Sequence, residues 1–247
     1  RRTRAAWPRR DASGEAKPSR TSARGPARRV TKPEIPWKIV SGMTKGINPK
    51  KWFYGLHAAL EAERDRPCIL AGAACEQWIN GELFRVIARG LDGTNLTAYP
   101  EWNKRQHDVV VMRHDPSSGE AWATPIAVVE TKLVYSNHPQ STRRRHLERL
   151  IEQLAVHHTA SPTRVGVFVA IYAYWPEHKR PKESFAEFRR NVGSLLRERA
   201  LQGMPGFSIT MDHKGSMETV LDETHAKVGA AEVVVGCVAQ YIRVRPS

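Results

Sequence analysis

The order of apolar and polar positions along the chain predicts an α/β domain led by helices. Asn48 suits an N-cap and Pro49 the first helical position, so a helix is expected from there to about Arg64, with Trp52, Phe53, Leu56 and Leu60 as its apolar face. A second helix is expected from about Ala73 to Arg89, stopping at Gly90, where Ile79, Leu83, Val86, Ile87 and Leu91 form a stripe at helical spacing. Strand-like runs follow at 96–99, 107–112 and 123–133. A third helix, about 142–158, carries Leu147, Leu150, Ile151 and Leu154, and the apolar run 165–172 then reads as a buried strand. Ser184 and Glu187 have capping-box spacing and open a fourth helix that packs through Phe185, Phe188, Val192, Leu195 and Leu196. Two later strands are expected at 207–211 and 232–242. The implied architecture is a mixed central β-sheet flanked by helices, without internal repeats.

Residues 1–34 break this pattern. They are rich in Arg, Ala, Pro and Ser, with few large apolar residues beyond Trp7 and Val30. Such a segment cannot bury enough surface to offset its ordering entropy, so a disordered basic arm is expected. Its composition overlaps with that of organelle transit peptides, although Pro8, Pro18, Pro26 and Pro33 work against an amphipathic helix. Arg1 in place of an initiator methionine leaves a longer parent polypeptide open. The expected plan is an arm at 1–34, a segment with a packing helix at 35–66, and the main domain at 67–247.

Charge sharpens that division. The chain carries a net +14, of which residues 1–50 hold +11 (14 Lys/Arg against Asp11, Glu15 and Glu34), leaving only +3 for the rest. A basic arm beside a nearly balanced domain favours a polyanion, with nucleic acid the default, although a solubilising linker or a protein partner would explain it too. The 40% hydrophobic content is ordinary for a globular protein, and no apolar run is long enough to cross a bilayer. The three cysteines show no CxxC pairing, so neither a disulfide framework nor a zinc site is expected, and an intracellular, cytoplasmic setting fits.

Within the strand-like runs, three charged residues stand out because charge is costly to bury. Asp108 opens the run at 107–112, and Glu130 and Lys132 punctuate Ile126-Ala-Val-Val-Glu-Thr-Lys-Leu133. Period-two geometry puts Glu130 and Lys132 on one face with Thr131 opposite. A hairpin turn centred on Gly119 would set Asp108 directly across from Glu130; one centred between Ser117 and Ser118 would set it across from Ala127. Two close carboxylates suit Mg²⁺ or Mn²⁺, which also takes phosphate oxygens, and a neighbouring lysine can orient water or stabilise charge developing on a phosphoryl group. Glu-x-Lys by itself is common, since the chain also has Glu15/Lys17 and Glu177/Lys179. Only the middle instance lies in a buried run with an acid on the preceding strand. A structural ion pair is the competing explanation.

Asp108, a gap of 21 residues, and Glu130-Thr131-Lys132 resemble the signature of the PD-(D/E)XK, or restriction-endonuclease-like, nuclease superfamily. The resemblance spans about residues 73–175, and departs from the pattern in that His107 stands where the signature's name has proline. It implies Asp108 and Glu130 as metal ligands, the Thr131 carbonyl as a third, and Lys132 beside the attacking water. Many members also have a glutamate on the helix before the first strand. Of the two candidates, Glu76 falls near the centre of the apolar stripe and Glu82 at its edge, so Glu76 is preferred; the alternative is a solvated acid in the helix's first turn.

Arg143, Arg144 and Arg145 at a helix start are candidates for gripping a phosphate backbone, with an ordinary solvated face as the alternative. Gln153 resembles the accessory glutamine of some superfamily members. His157-His158 reads as a helix end rather than a zinc site. No P-loop, dinucleotide fingerprint or serine elbow is found. The leading expectation is a divalent-metal-dependent nuclease acting on DNA, with RNA open, in a restriction, mobile-element or defence setting. The competing one is a nucleic-acid-binding or assembly subunit of the same fold without turnover.

Overall fold

The computed structural model describes residues 47–72, 75–101, 107–113, 124–155, 163–177, 180–211, 216–228 and 230–246, all within the unit Thr44–Ser247. The arm expected at 1–34, the turn around Gly119, and His157-His158 lie outside the described residues.

Helix α1 (Pro49–Ala62) starts as expected, with the Asn48 side chain accepting from the Lys51 N–H at 3.1 Å and Pro49 in the first turn. A short helix α2 (Arg66–Ala71) and the longer α3 (Cys75–Gly90) follow. Strands β1 (Leu96–Glu101), β2 (His107–Arg113) and β3 (Thr124–Tyr135) form an antiparallel meander. Helix α4 (Gln140–Ala155) then carries the chain to β4 (Thr163–Tyr174), which pairs parallel with β3. Helix α5 (Phe185–Gln202) opens with the full Ser184/Glu187 capping box, and β5 (Phe207–Met211), β6 (Glu218–Val228) and β7 (Ala231–Pro246) follow.

The strands build one seven-stranded sheet in the order β1-β2-β3-β4-β7-β5, with β6 also on β7. Strand β7 is long enough, at 16 residues, to pair with β4 on one side and with both β5 and β6 on the other. The result is the expected mixed sheet with helices on its faces. Two elements exceed the expectation. Strand β6 (ETVLDETHAKV) was hidden because it is mostly polar and irregular in register after Thr219 and again after Leu221, so no period-two alternation survives. Helix α2, at six residues, is too short to show helical periodicity.

Each face of the sheet carries a core. On one, Val109, Val111, Ala127, Val129, Leu133, Val165, Val167 and Val169 pack beneath α1, α2 and α3; on the other, Val110, Met112, Val128, Val134, Phe168 and Ala170 pack beneath α4 and α5. The α1 residues Trp52, Phe53, Leu56 and Leu60 are all buried in the first core, so α1 is an integral part of the domain. Coverage on both sides makes β3 and β4 nearly continuous apolar runs, as parallel strands require. Helix α4 rests directly on β4 at Gly166, where an added Cβ would lie 3.0 Å from Leu154 Cδ1 and 3.2 Å from Leu150 Cδ2.

That contact is testable by denaturation. Gly166→Val should overpack the α4–β4 seam and cost about 1–3 kcal/mol, whereas Gly81→Ala on α3 should be stabilising by about 0.5–1 kcal/mol. Nothing would meet the new methyl at Gly81 within 4 Å. Urea midpoints for the two variants check both signs.

Candidate metal and phosphodiester site

Pairing between β2 and β3 decides which charged residues meet. The register joins Val109 with Val129, Val110 with Val128 and Val111 with Ala127. One step further along the same register puts Asp108 opposite Glu130, the arrangement expected for a turn centred on Gly119. Alternation places Asp108 on the side of Val110 and Met112, and Glu130 and Lys132 on the side of Val128 and Val134, which is the same face of the sheet.

Strand β2 begins at His107 while β3 runs on to Tyr135, so beyond Thr131 no strand among the described residues pairs with β3 on that side. Asp108 serves this transition: its Oδ2 accepts from the Thr131 N–H at 2.7 Å, in the role of a ladder carbonyl. The N–H and C=O of one strand residue leave toward the same neighbour in an antiparallel ladder, so the Thr131 carbonyl points to the same edge. The Thr131 side chain itself is fully buried on the other face.

Glu130 is only 1% exposed, a position no carboxylate occupies without a partner. The partner is His107, whose Nδ1 lies 2.6 Å from Glu130 Oε1. An ionised carboxylate can only accept, so Nδ1–H donates. Sequence reasoning noted His107 only as a departure from proline; its contact with Glu130 became visible once the two strands were in register.

Asp108 is half-buried, and its carboxyl is pushed up to about 6. Burial is the largest cause and the Glu130 charge the next, with Glu76 adding a smaller push; the Thr131 N–H and the Lys132 ammonium oppose them. Lys132 is itself partly buried, near enough to act on both Asp108 and His146. His146 on α4 contacts the Leu133 carbonyl through Nδ1 at 3.1 Å, and burial, Arg145, Arg149 and Lys132 hold its titration below the usual histidine range.

Glu76 requires a correction. It is exposed on the first turn of α3, while the buried stripe is Cys75, Ile79, Leu83 and Ile87. It flanks the stripe instead of centring it, because the helix meets the sheet through Cys75, one position earlier. Its charge still acts on Asp108, Cys75 and Tyr135, although α3 packs on the opposite face of the sheet from Val110, Val128 and Val134. Glu82 is partly buried and paired with Arg85 at 2.9 Å on its own helix.

The arginine triplet also departs from expectation. Arg143 is buried, donates to the Ser136 carbonyl at 2.8 Å, pairs with Glu183, and lies over the Phe188 ring at 4.6 Å. Arg144 forms a two-pronged pair with Glu198 on α5, at 2.8 and 2.9 Å. Arg145 is the exposed member. A helical period spreads three consecutive residues around the axis, so they cannot present one cationic face. Gln153 is partly buried, with its Oε1 enclosed and without a hydrogen-bond partner.

Among the described residues, no three His, Cys, Asp or Glu side chains gather as a metal cluster, and no helix is long and apolar enough to cross a membrane. Two carboxylates and a strand-edge carbonyl still fit Mg²⁺ or Mn²⁺, which is held by one or two carboxylates and keeps several waters. Asp108 Oδ1 and Glu130 Oε2 take no part in the two contacts above. Comparison of the chain with protein-family models, curated proteins and solved structures finds no match.

Two outcomes follow from this geometry. In metal-free buffer the folded state holds the Asp108 proton more tightly than the unfolded chain, so stability should fall as pH rises from about 4 to about 6. Asp108→Asn should remove that slope and be more stable near neutrality by at most about 3 kcal/mol; melting temperatures of both proteins across that pH range check it. Separately, Arg143→Ala should cost about 3–5 kcal/mol by stranding Glu183, whereas Arg145→Ala should stay within about 0.5 kcal/mol of wild type. Urea titration distinguishes a buried ion pair from a phosphate grip.

Proposed function

We propose that the chain is a divalent-metal-dependent nuclease with a restriction-endonuclease-like core, hydrolysing phosphodiester bonds in DNA. The observation that carries the reading is the convergence of Asp108 and Glu130 on one face at the end of the β2–β3 ladder, with Lys132 two residues on. Burial makes it costly to keep two carboxylates side by side unless a cation offsets their repulsion. The Asp108–Thr131 and His107–Glu130 contacts hold the pair in place. Nothing in these contacts reads the sugar, so RNA is the alternative substrate to be tried in parallel.

In this reading Asp108 and Glu130 would hold Mg²⁺ or Mn²⁺, with the Thr131 carbonyl as a backbone ligand. Bound there, the ion would lower the pKa of a water and neutralise charge on the phosphate. Lys132 shares the Glu130 face and would stabilise the negative charge that builds on the phosphoryl oxygens. Glu76, exposed in the first turn of α3, would act only at longer range on the same ion or its water shell.

Nicking of supercoiled plasmid in Mg²⁺ but not in EDTA is the direct test. Asp108→Ala and Glu130→Ala should abolish it. Lys132→Ala should lower the single-turnover rate by about 10²-fold or more with little change in substrate binding, since its contribution belongs to the transition state. Lys132→Arg should rescue poorly, because a planar guanidinium does not replace a compact ammonium. Glu76→Gln should slow cutting more than Glu82→Gln. A Lys132→Ala protein that melts early yet cuts normally would make the lysine a structural ion partner, and plasmid left intact by the wild type in Mg²⁺ and Mn²⁺ would leave a nucleic-acid-binding subunit.

A further inference from the structure

A cleft of about 1120 Å³ opens where the parallel strands β3 and β4 end, and the catalytic reading makes no use of it. Tyr135 from the end of β3, Tyr174 and Trp175 from the end of β4, and Arg180 and Lys182 from the connection to α5 contribute to its wall. Ligands of open α/β sheets gather at the carboxyl ends of parallel strands, where the connections diverge. The three aromatic residues are each partly exposed, and Arg180 and Lys182 are exposed. Arg180 also lies over the Tyr174 ring at 5.8 Å. Among the described residues of the wall the single acid, Glu183, is already paired with Arg143 and accepts from Asn191 at 2.9 Å. The cleft therefore presents flat apolar surfaces and the exposed cations Arg180 and Lys182 together.

Resting on the nuclease reading above, we infer that this cleft receives an unpaired stretch of the substrate strand, bases stacked on Trp175 and Tyr174 and phosphates facing Arg180 and Lys182. Stacking platforms interleaved with cations are the chemistry by which single strands are held without regard to sequence. The volume exceeds the roughly 300–1,000 Å³ of ordinary small-ligand pockets, which suits more than one nucleotide. Position agrees as well. Tyr135 lies three residues beyond Lys132 on the same strand, about 10 Å at the usual rise. Tyr135 alternates to the other face of β3, so a strand whose scissile phosphate meets Asp108, Glu130 and Lys132 would round the end of β3 to enter the cleft. A base-paired duplex keeps its base faces stacked and cannot use the aromatic surfaces.

The test is binding by the full chain in EDTA, where cleavage cannot occur, read as fluorescence anisotropy of a labelled oligothymidylate and of a blunt duplex of equal length. Trp175→Ala should weaken oligothymidylate binding by about 5- to 100-fold, the range for loss of one stacked base, and the double variant Arg180→Ala/Lys182→Ala should weaken it and flatten its salt dependence. Duplex binding should change far less, and Trp175→Phe should restore most of the lost affinity. Plasmid left intact by the wild type in Mg²⁺ with these binding differences preserved would defeat the catalytic assignment and keep the cleft, which separates this inference from the nuclease reading. Equal losses for single strand and duplex, unchanged single-strand affinity in the variants, or competition by polyglutamate as strong as by oligothymidylate would each overturn it. Thermal melting of every variant, with a midpoint close to wild type, confirms that a loss of binding is local.

Discussion

Strands β3 and β4 are covered by hydrophobic layers on both faces, and this constrains every polar group placed in them. Glu130 and Thr131 sit at 1% and 0% exposure in the middle of an otherwise aliphatic strand. A buried carboxylate is kept only where its oxygens are engaged. His107 engages one oxygen of Glu130, and Asp108 engages the Thr131 N–H, so the start of β2 is fastened to the middle of β3 by two side-chain contacts.

Two carboxylates held this way are in tension. The upward push on Asp108 expresses it, because burial and Glu130 together outweigh the Thr131 N–H and Lys132. A protein selected only for stability would gain by replacing one of the pair with an apolar residue of similar size. Under the proposed function a bound divalent cation would relieve that tension, next to a partly buried lysine.

The arginines of α4 show the opposite allocation. Arg143 and Arg144 anchor the start of α4 to Glu183 and to α5, which fixes the wall shared by the helices and the adjoining cleft. Arg143 carries structure, and the exposed cations of that region come from Arg180 and Lys182 in the segment before α5. The three arginines that read as one basic run are thereby divided between a buried brace, a pair with α5 and one exposed side chain.

Much of this was legible in the sequence. Helical and alternating periods located α1, α3, α4, α5 and the core strands, because burial against one face imposes those periods directly. The isolation of Asp108, Glu130 and Lys132 in apolar runs singled them out, since charge rarely sits there without use. Strand β6 escaped because bulges and a polar face erase its alternation. The partners could not be read either. His107 on Glu130, Glu183 under Arg143 and Glu198 on Arg144 are contacts across 23, 40 and 54 positions of chain. The position of Glu76 turned on a single step of helix rotation, decided by how α3 seats Cys75 against the sheet. The sequence by itself determined which residues are too costly to bury unpaired; register, helix rotation and strand ends, all products of long-range packing, decided which of them meet.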